Sequence, residues 1–229
     1  MRGRIESVLA YATVAGYRAA DKPNPARWKG HLAAMLAKPS KVKRVEHHAA
    51  LPYAELPAFM KKLRAEVGMG ALALEFAILT ATRTGEVIGA TWSEFDLESA
   101  TWCIPAERMK ATREHRVPLS PQAVALLEKM QAGGRSPDGF VFPGLRPGKP
   151  LSNMAMLATL KRMKRGDLTT HGFRSTFRDW AGETTAHPRE VIEHALAHRL
   201  KDKAEAAYQR GTLMAKRRLL MDDWSHYCG

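Results

Sequence analysis

Hydrophobic positions recur at helical spacing through most of the chain, and the pattern changes once. Ile5, Val8, Leu9 and Ala12 follow the i, i+3, i+4, i+7 spacing of an amphipathic helix. Asn24-Pro25 reads as the opening of a second helix, Asn as cap and Pro in the first helical position, running to about Leu36. The basic, punctuated stretch from Lys38 to Arg44 then reads as a linker. From Tyr53 the spacing predicts helices over about 54–66 and 69–80, a break at Thr82-Arg83-Thr84-Gly85, and a short helix from Glu86 to about Thr91. There the period switches to two. Thr101-Trp102-Cys103-Ile104-Pro105 and Arg116-Val117-Pro118-Leu119 are short β-type runs, and Phe95-Asp96-Leu97 is a candidate third. Helical spacing returns over 121–132, a Gly- and Pro-rich loop fills 133–150, and helices are expected over about 152–164, 170–182, 188–199, 203–210 and 213–226. The fold class is therefore α+β, mainly α-helical, with a small antiparallel sheet.

Two short helices cannot enclose a core, so residues 1–40 either pack on the main body or are the remnant of a domain whose earlier part is missing. Residues 41–229 form the main domain. Composition narrows the setting. The chain has 229 residues, a formal net charge of +13 and a pI near 10.0, which suits a surface that contacts a polyanion, nucleic acid above all. Basic residues are spread along the chain rather than gathered in a tail. No run approaches the length of a membrane span, the N-terminus lacks the apolar core of a signal peptide, and Cys103 and Cys228 are isolated. These features lead us to expect a protein of the cytoplasm with no membrane partner.

Candidate chemistry gathers in the last third. Thr169-Thr170-His171-Gly172-Phe173-Arg174 precedes Phe177 and Trp180 at helical spacing, so it reads as a helix N-terminus, where free N–H groups and the dipole attract an anion. His171 and Arg174, three apart, share a face of its first turn. Ala197-His198 and Ala207-Tyr208-Gln209-Arg210 follow, and the set suggests a site for a phosphate and a tyrosyl nucleophile.

The order of residues carries a resemblance. Arg83 lies in a helix-turn-helix break with Glu86 three later, Lys110 in a β-connection, then come His171-x-x-Arg174, Leu196-Ala197-His198 and an isolated Tyr208. Together with Leu79-Thr80-Ala81-Thr82-Arg83-Thr84-Gly85-Glu86-Val87, Ile104-Pro105-Ala106-Glu107-Arg108-Met109-Lys110 and Val117-Pro118-Leu119-Ser120, this resembles the catalytic domain of the tyrosine recombinases, specifically the phage and prophage integrases. The likeness covers roughly 45–229, and the first 40 or so residues resemble the tail of the preceding core-binding domain. Two departures stand out: the core-binding and arm-binding domains of such an integrase are mostly absent, and Thr84 stands where proline is expected.

The resemblance implies site-specific DNA recombination through a 3′-phosphotyrosyl intermediate at attachment sites on double-stranded DNA. It also implies a homo-multimer on the DNA, accessory DNA-bending proteins, and no cofactor. Arg83 and Arg174 suit the stabilisation of charge on non-bridging oxygens, because a guanidinium is always charged and donates a planar fork. Tyr208 is the implied nucleophile, a phenol that needs positive neighbours or a base to react near neutrality. His171 and His198 are the general acid/base or phosphate-contacting groups, and Lys110 protonates the departing 5′ oxygen as its counterpart does in the family. Glu86 orients Arg83 or caps the helix. In the helix from Pro188, His198 is expected to point inward and His194 outward. Their i, i+4 spacing lacks the His-Glu-x-x-His pattern and a third ligand, so no metal is expected. Beyond Tyr208, Leu213, Leu219, Leu220 and Trp224 mark an amphipathic helix with Lys216, Arg217 and Arg218 on its polar side, docking on its own or a neighbouring subunit. A type IB topoisomerase-like relaxing enzyme and a catalytically silent DNA-binding module of the same fold remain as alternatives.

Overall fold

The computed structural model describes residues 1–37, 49–109, 112–132, 138–198 and 211–229, in two units, Met1–His47 and His48–Gly229. Lys110, Tyr208 and the helix expected over 203–210 lie outside the described residues.

In the first unit, helix α1 (Arg2–Val14) forms as its spacing predicts, yet it has no buried residue, and Val8, Tyr11 and Val14 are exposed. The second expected helix does not form. Asn24 makes only a local turn, its Oδ1 accepting from the Ala26 N–H at 3.0 Å, and its Nδ2 donates to the Glu6 carbonyl at 2.9 Å. The helix fails because Lys29 is extended and Gly30 takes a left-handed φ of 73°, which interrupts the i to i−4 ladder. A π-type turn over Trp28–Leu32 and a three-residue helix, α2 (Ala33–Met35), stand in its place.

The second unit is built around α4 (Met69–Thr80). Eight of its residues, from Ala71 to Thr80, are buried, so it is apolar on every side, as a helix in the middle of a core must be. Helices α3 (Leu56–Arg64), α6 (Pro121–Gln131), α7 (Ala155–Arg162) and α10 (Met214–Tyr227) pack around it. Beyond α4, Ala81 turns left-handed at φ 50°, ending the helix, and α5 (Thr84–Ile88) follows.

The sheet is three-stranded and antiparallel in the order β1 (Phe95–Asp96), β2 (Thr101–Ile104), β3 (His115–Pro118). Phe95 pairs with Trp102 and Trp102 with Val117, which places Trp102 under Phe76 of α4 at a ring separation of 5.5 Å. Mainly helical α+β with a small antiparallel sheet is thus the observed class.

Two further helices complete the unit, α8 (Gly172–Thr184) and α9 (Arg189–Ala195). C-terminal α10 docks on its own domain: Trp224 is fully buried, meets Phe177 edge-on at 5.1 Å, and donates its Nε1–H to the Ile78 carbonyl at 2.8 Å. Its buried face is Arg217, Leu220, Met221 and Trp224. That corrects the sequence-based face: Arg217 is only 2% exposed, whereas Leu219 is 62% exposed. The stripe at i, i+3, i+4, i+7 starts from the arginine, not from the leucine.

Candidate active site

Arg83 sits at the junction before α5, held from three sides. The Glu86 carboxylate accepts from the Arg83 backbone N–H at 2.8 Å and from Nη1 at 2.7 Å, so one carboxylate caps the helix and orients the guanidinium. The far nitrogen, Nη2, donates to the carbonyls of Leu196 at 3.4 Å and Ala197 at 3.3 Å.

Arg174 reaches the same place from α8. This helix starts at Gly172, two residues later than expected, with the Thr169 hydroxyl accepting from the Gly172 N–H at 3.0 Å. Gly172 has a steric reason. A Cβ there would lie 2.1 Å from the Ala49 carbonyl oxygen, because the backbone of 49–50 crosses directly over the helix start. One half-turn on, Arg174 is 5% exposed and donates to the Ala81 carbonyl and, at 2.6 Å, to the Leu196 carbonyl. Arg83 and Arg174, 91 positions apart in the chain, therefore share one acceptor, the Leu196 oxygen. Burial, together with the neighbouring Arg83 charge and against the pull of Glu86, pushes the Arg174 pKa down to about 10. Two like charges facing one point at this depth favour an anion between them.

His198 joins this pair, although not as expected. Helix α9 stops at Ala195, and Ala197 is left-handed at φ 49°, so His198 leaves the helix instead of extending its buried face. The residue is exposed, while His194 is only partly so, which reverses the expected order of the two. The ring still faces the site: Nε2 lies 3.4 Å from Arg174 Nη2 and Nδ1 2.7 Å from Glu193 Oε2. Arginine can only donate, so Nε2 accepts and the Nδ1–H donates to Glu193. Desolvation lowers the His198 pKa, Glu193 opposes it, and Arg174 and Arg83 add to the lowering. Burial works against ionisation of Glu193, yet hydrogen bonds from His198 and Arg178 keep its carboxyl below the usual range.

His171 is the N-cap residue of α8, exposed, with its carbonyl accepting from the Arg174 N–H at 3.1 Å. Four of the expected site residues, Arg83, Arg174, His198 and Glu86, are thus linked by hydrogen bonds or a shared acceptor. His171 stands one turn ahead of Arg174.

Two residues escaped the sequence reading, Glu193 and His115, and a third, Arg217, was placed on the wrong face. Glu193 fixes the His198 tautomer. Arg217 is buried in α10 and donates to the Thr212 carbonyl at 3.3 Å and the Arg116 carbonyl at 2.5 Å, its pKa pushed down to about 10 by burial. His115 opposes Ile104 in the sheet and has a buried Nε2 with no hydrogen-bond partner among the described residues. Burial, then the charges of Arg217, Arg83 and Arg174, push its pKa down to about 3, with the Ala195 backbone opposing. The period-two alternation that puts His115 on the same side as Val117 was a signal for it. Among the described residues no group of three or more His, Cys, Asp or Glu side chains could hold a metal ion, and no helix is long and apolar enough to cross a membrane.

Comparison with known proteins follows the same lines. Prophage integrase IntZ of Escherichia coli (strain K12) is 40% identical over 188 residues, covering 81% of this chain and 46% of that protein. Prophage integrase IntA of the same strain is 39% identical over 177 residues, covering 75% and 42%. The chain spans less than half the length of these two relatives. Among solved structures, a lambda integrase dimer bound to a COC' core site matches with a TM-score of 0.60 at 19% identity, covering 92% of this chain and 58% of that one. The integrase from mycobacterium phage Brujita matches with a TM-score of 0.59 at 18% identity, covering 96% and 69%. These structures speak for the fold. The model of the phage integrase family matches residues 51–212, which hold every candidate site residue named above other than Arg217, and the chain belongs to that family.

Proposed function

We propose that this chain is the catalytic part of a site-specific DNA recombinase, a prophage integrase that cuts and rejoins double-stranded DNA at attachment sites through a 3′-phosphotyrosyl intermediate. The observation that carries the reading is the convergence of Arg83 and Arg174 on the Leu196 carbonyl, with His198 against the second guanidinium. Two fixed charges at one point suit a phosphodiester whose negative charge grows in the transition state, without need of a metal or nucleotide. In this scheme Tyr208 Oη attacks the scissile phosphorus and its proton passes to a general base, His171 or His198. The bond to the 5′ oxygen breaks, and Lys110 supplies the proton that makes it a hydroxyl. Attack by a 5′ hydroxyl on the phosphotyrosine reverses the step and joins the strands.

His198, neutral with Nε2 directed at Arg174, and His171, at the start of α8, contact the phosphate or relay the proton. Glu86 holds Arg83. Residues 1–40 are the end of a core-binding domain and 41–229 the catalytic domain. Relatives whose names include a dimer on a core site support a multimer of this chain on DNA, and accessory DNA-bending proteins belong to the same scheme, as does a cytoplasmic location near the nucleoid.

The test is incubation with a pool of nicked duplexes of randomised sequence, followed by recovery of DNA that stays attached under denaturing conditions. The wild type should yield an adduct and Tyr208→Phe none. An adduct from both, or from neither, would remove the proposal. DNA binding should also weaken steeply between low and moderate salt, because each phosphate contact releases counterions.

A further inference from the structure

Arg108 is the one cation of the turn Ala106–Arg108 that follows β2. In a chain of net charge +13 such a residue would ordinarily point to solvent, but its guanidinium turns back across the sheet. Nη1 donates to both carboxylate oxygens of Glu94, and Nη2 donates to the main-chain carbonyl of Glu86. Glu94 is only 9% exposed and also accepts from the Trp102 Nε1–H at 2.8 Å, so its carboxylate is fixed by β2 on one side and Arg108 on the other.

Gly89 makes the room. A Cβ there would sit 2.9 Å from Arg108 Nη2 and 3.3 Å from its Nε, so the guanidinium lies flat against a position where any side chain would displace it. Glu86 is also the residue whose carboxylate grips the backbone and guanidinium of Arg83. Arg108 thus holds by its carbonyl the residue that holds Arg83 by its side chain. Helix α5, five residues long, is far too short to set its own position, and its last carbonyls have no partners within the helix. A cation on such a carbonyl, braced by a nearly buried carboxylate, fixes where the helix sits.

We infer that Arg108 and Glu94 are positioning residues for Arg83, setting its guanidinium against the scissile phosphate through Glu86. The inference rests on the proposed role of Arg83 at that phosphate, and two readouts separate the two. The first compares adduct formation on the duplex recovered above with its methylphosphonate counterpart, in which a methyl group replaces one non-bridging oxygen at the scissile position. Removing that charge lessens the need for a guanidinium. Arg108→Met and Glu94→Gln should slow adduct formation about 10²-fold on the phosphodiester. On the methylphosphonate they should stay within roughly tenfold of wild type, in parallel with Arg83→Ala. Glu94→Gln keeps the side-chain volume and the acceptor for Trp102, so it tests the idea even if Arg108→Met folds poorly. An equal defect on both substrates, or none on either, would overturn the inference.

The second readout needs no activity. In the chain labelled with ¹⁵N-arginine, the Arg83 Nε–Hε resonance, identified by its loss in Arg83→Lys, should shift and broaden in both variants while that of Arg174 does not. An unchanged Arg83 resonance would also overturn it, whereas selective broadening in the two variants alongside a wild type that makes no adduct overturns only the reading of function.

Discussion

Replacing Gly172 by alanine separates local preference from tertiary fit. Gly172 opens α8, and within a helix alanine is favoured over glycine by about 1 kcal/mol, so propensity alone predicts a more stable protein. The packing predicts the opposite. The new Cβ would lie 2.1 Å from the Ala49 oxygen, 3.0 Å from its carbonyl carbon and 3.1 Å from Ala50 Cα, and all three are main-chain atoms. Even a weak C–H···O contact needs about 3.3 Å, so one backbone must retreat by roughly 1 Å. The crossing segment cannot swing away freely, because the Leu51 carbonyl accepts from the Thr176 hydroxyl of α8 at 2.7 Å. Overpacking of this kind costs about 1–3 kcal/mol, which outweighs the propensity gain. A shift of that size at the start of α8 also carries Arg174 off the Leu196 carbonyl, and a 1 Å misplacement is worth about 10² in rate. Urea denaturation measures the first effect and the rate of adduct formation the second. Gly182→Ala, in the same helix with nothing among the described residues within 4 Å of its Cβ, is the control and should gain roughly 0.5–1 kcal/mol. If Gly172→Ala behaves like Gly182→Ala in both assays, the close crossing at Ala49 is not part of the folded protein.

Arg174→Lys replaces a fork that serves Ala81, Leu196 and His198 with a single point charge. It should slow adduct formation about 10²–10³-fold, while DNA affinity, read by fluorescence anisotropy, changes little. His115 is held neutral, so its folded pKa of about 3 lies below its ordinary value of 6.5. The unfolded chain binds the extra proton first, and its contribution is therefore intact above pH 6.5 and lost as pH falls towards 3. Against His115→Gln, wild-type stability should fall by about 1.4 kcal/mol more for each pH unit below 6.5, measured by urea titration at several pH values. Equal slopes for the two proteins would contradict the burial of this ring. Trp224→Ala removes a fully buried indole and its bond to Ile78, and should cost about 3–5 kcal/mol by the same method.

Local order was legible where one residue type dominated a period. Helix α4 spans Met69–Thr80 as its apolar run predicts, and β2 and β3 lie within a residue of the expected runs, because alternation over four residues has few other readings. The helix expected from Asn24 failed because its cap signal is local, whereas whether Gly30 stays helical depends on what the next turn can bury, and nothing in α2 is buried. On α10 a three-residue basic run was read as one solvated face, although Arg217 in its middle lies in the core.

The sequence by itself determined the kind of chemistry available: a +13 chain, a mainly helical domain with a small sheet, and an ordered set of arginines, histidines and a tyrosine that marks the family. Tertiary structure alone decided which of the 36 basic residues are withdrawn from water and where they meet. Arg83 and Arg174 come together on one carbonyl from α5 and α8, Arg108 turns inward to Glu94, and His198 faces Arg174 only because the chain leaves its helix at Ala197. Periodicity reports a residue's own helix or strand, a matter of a few positions. The depth of a charge and the acceptors around it depend on segments a hundred residues away, which no short pattern encodes.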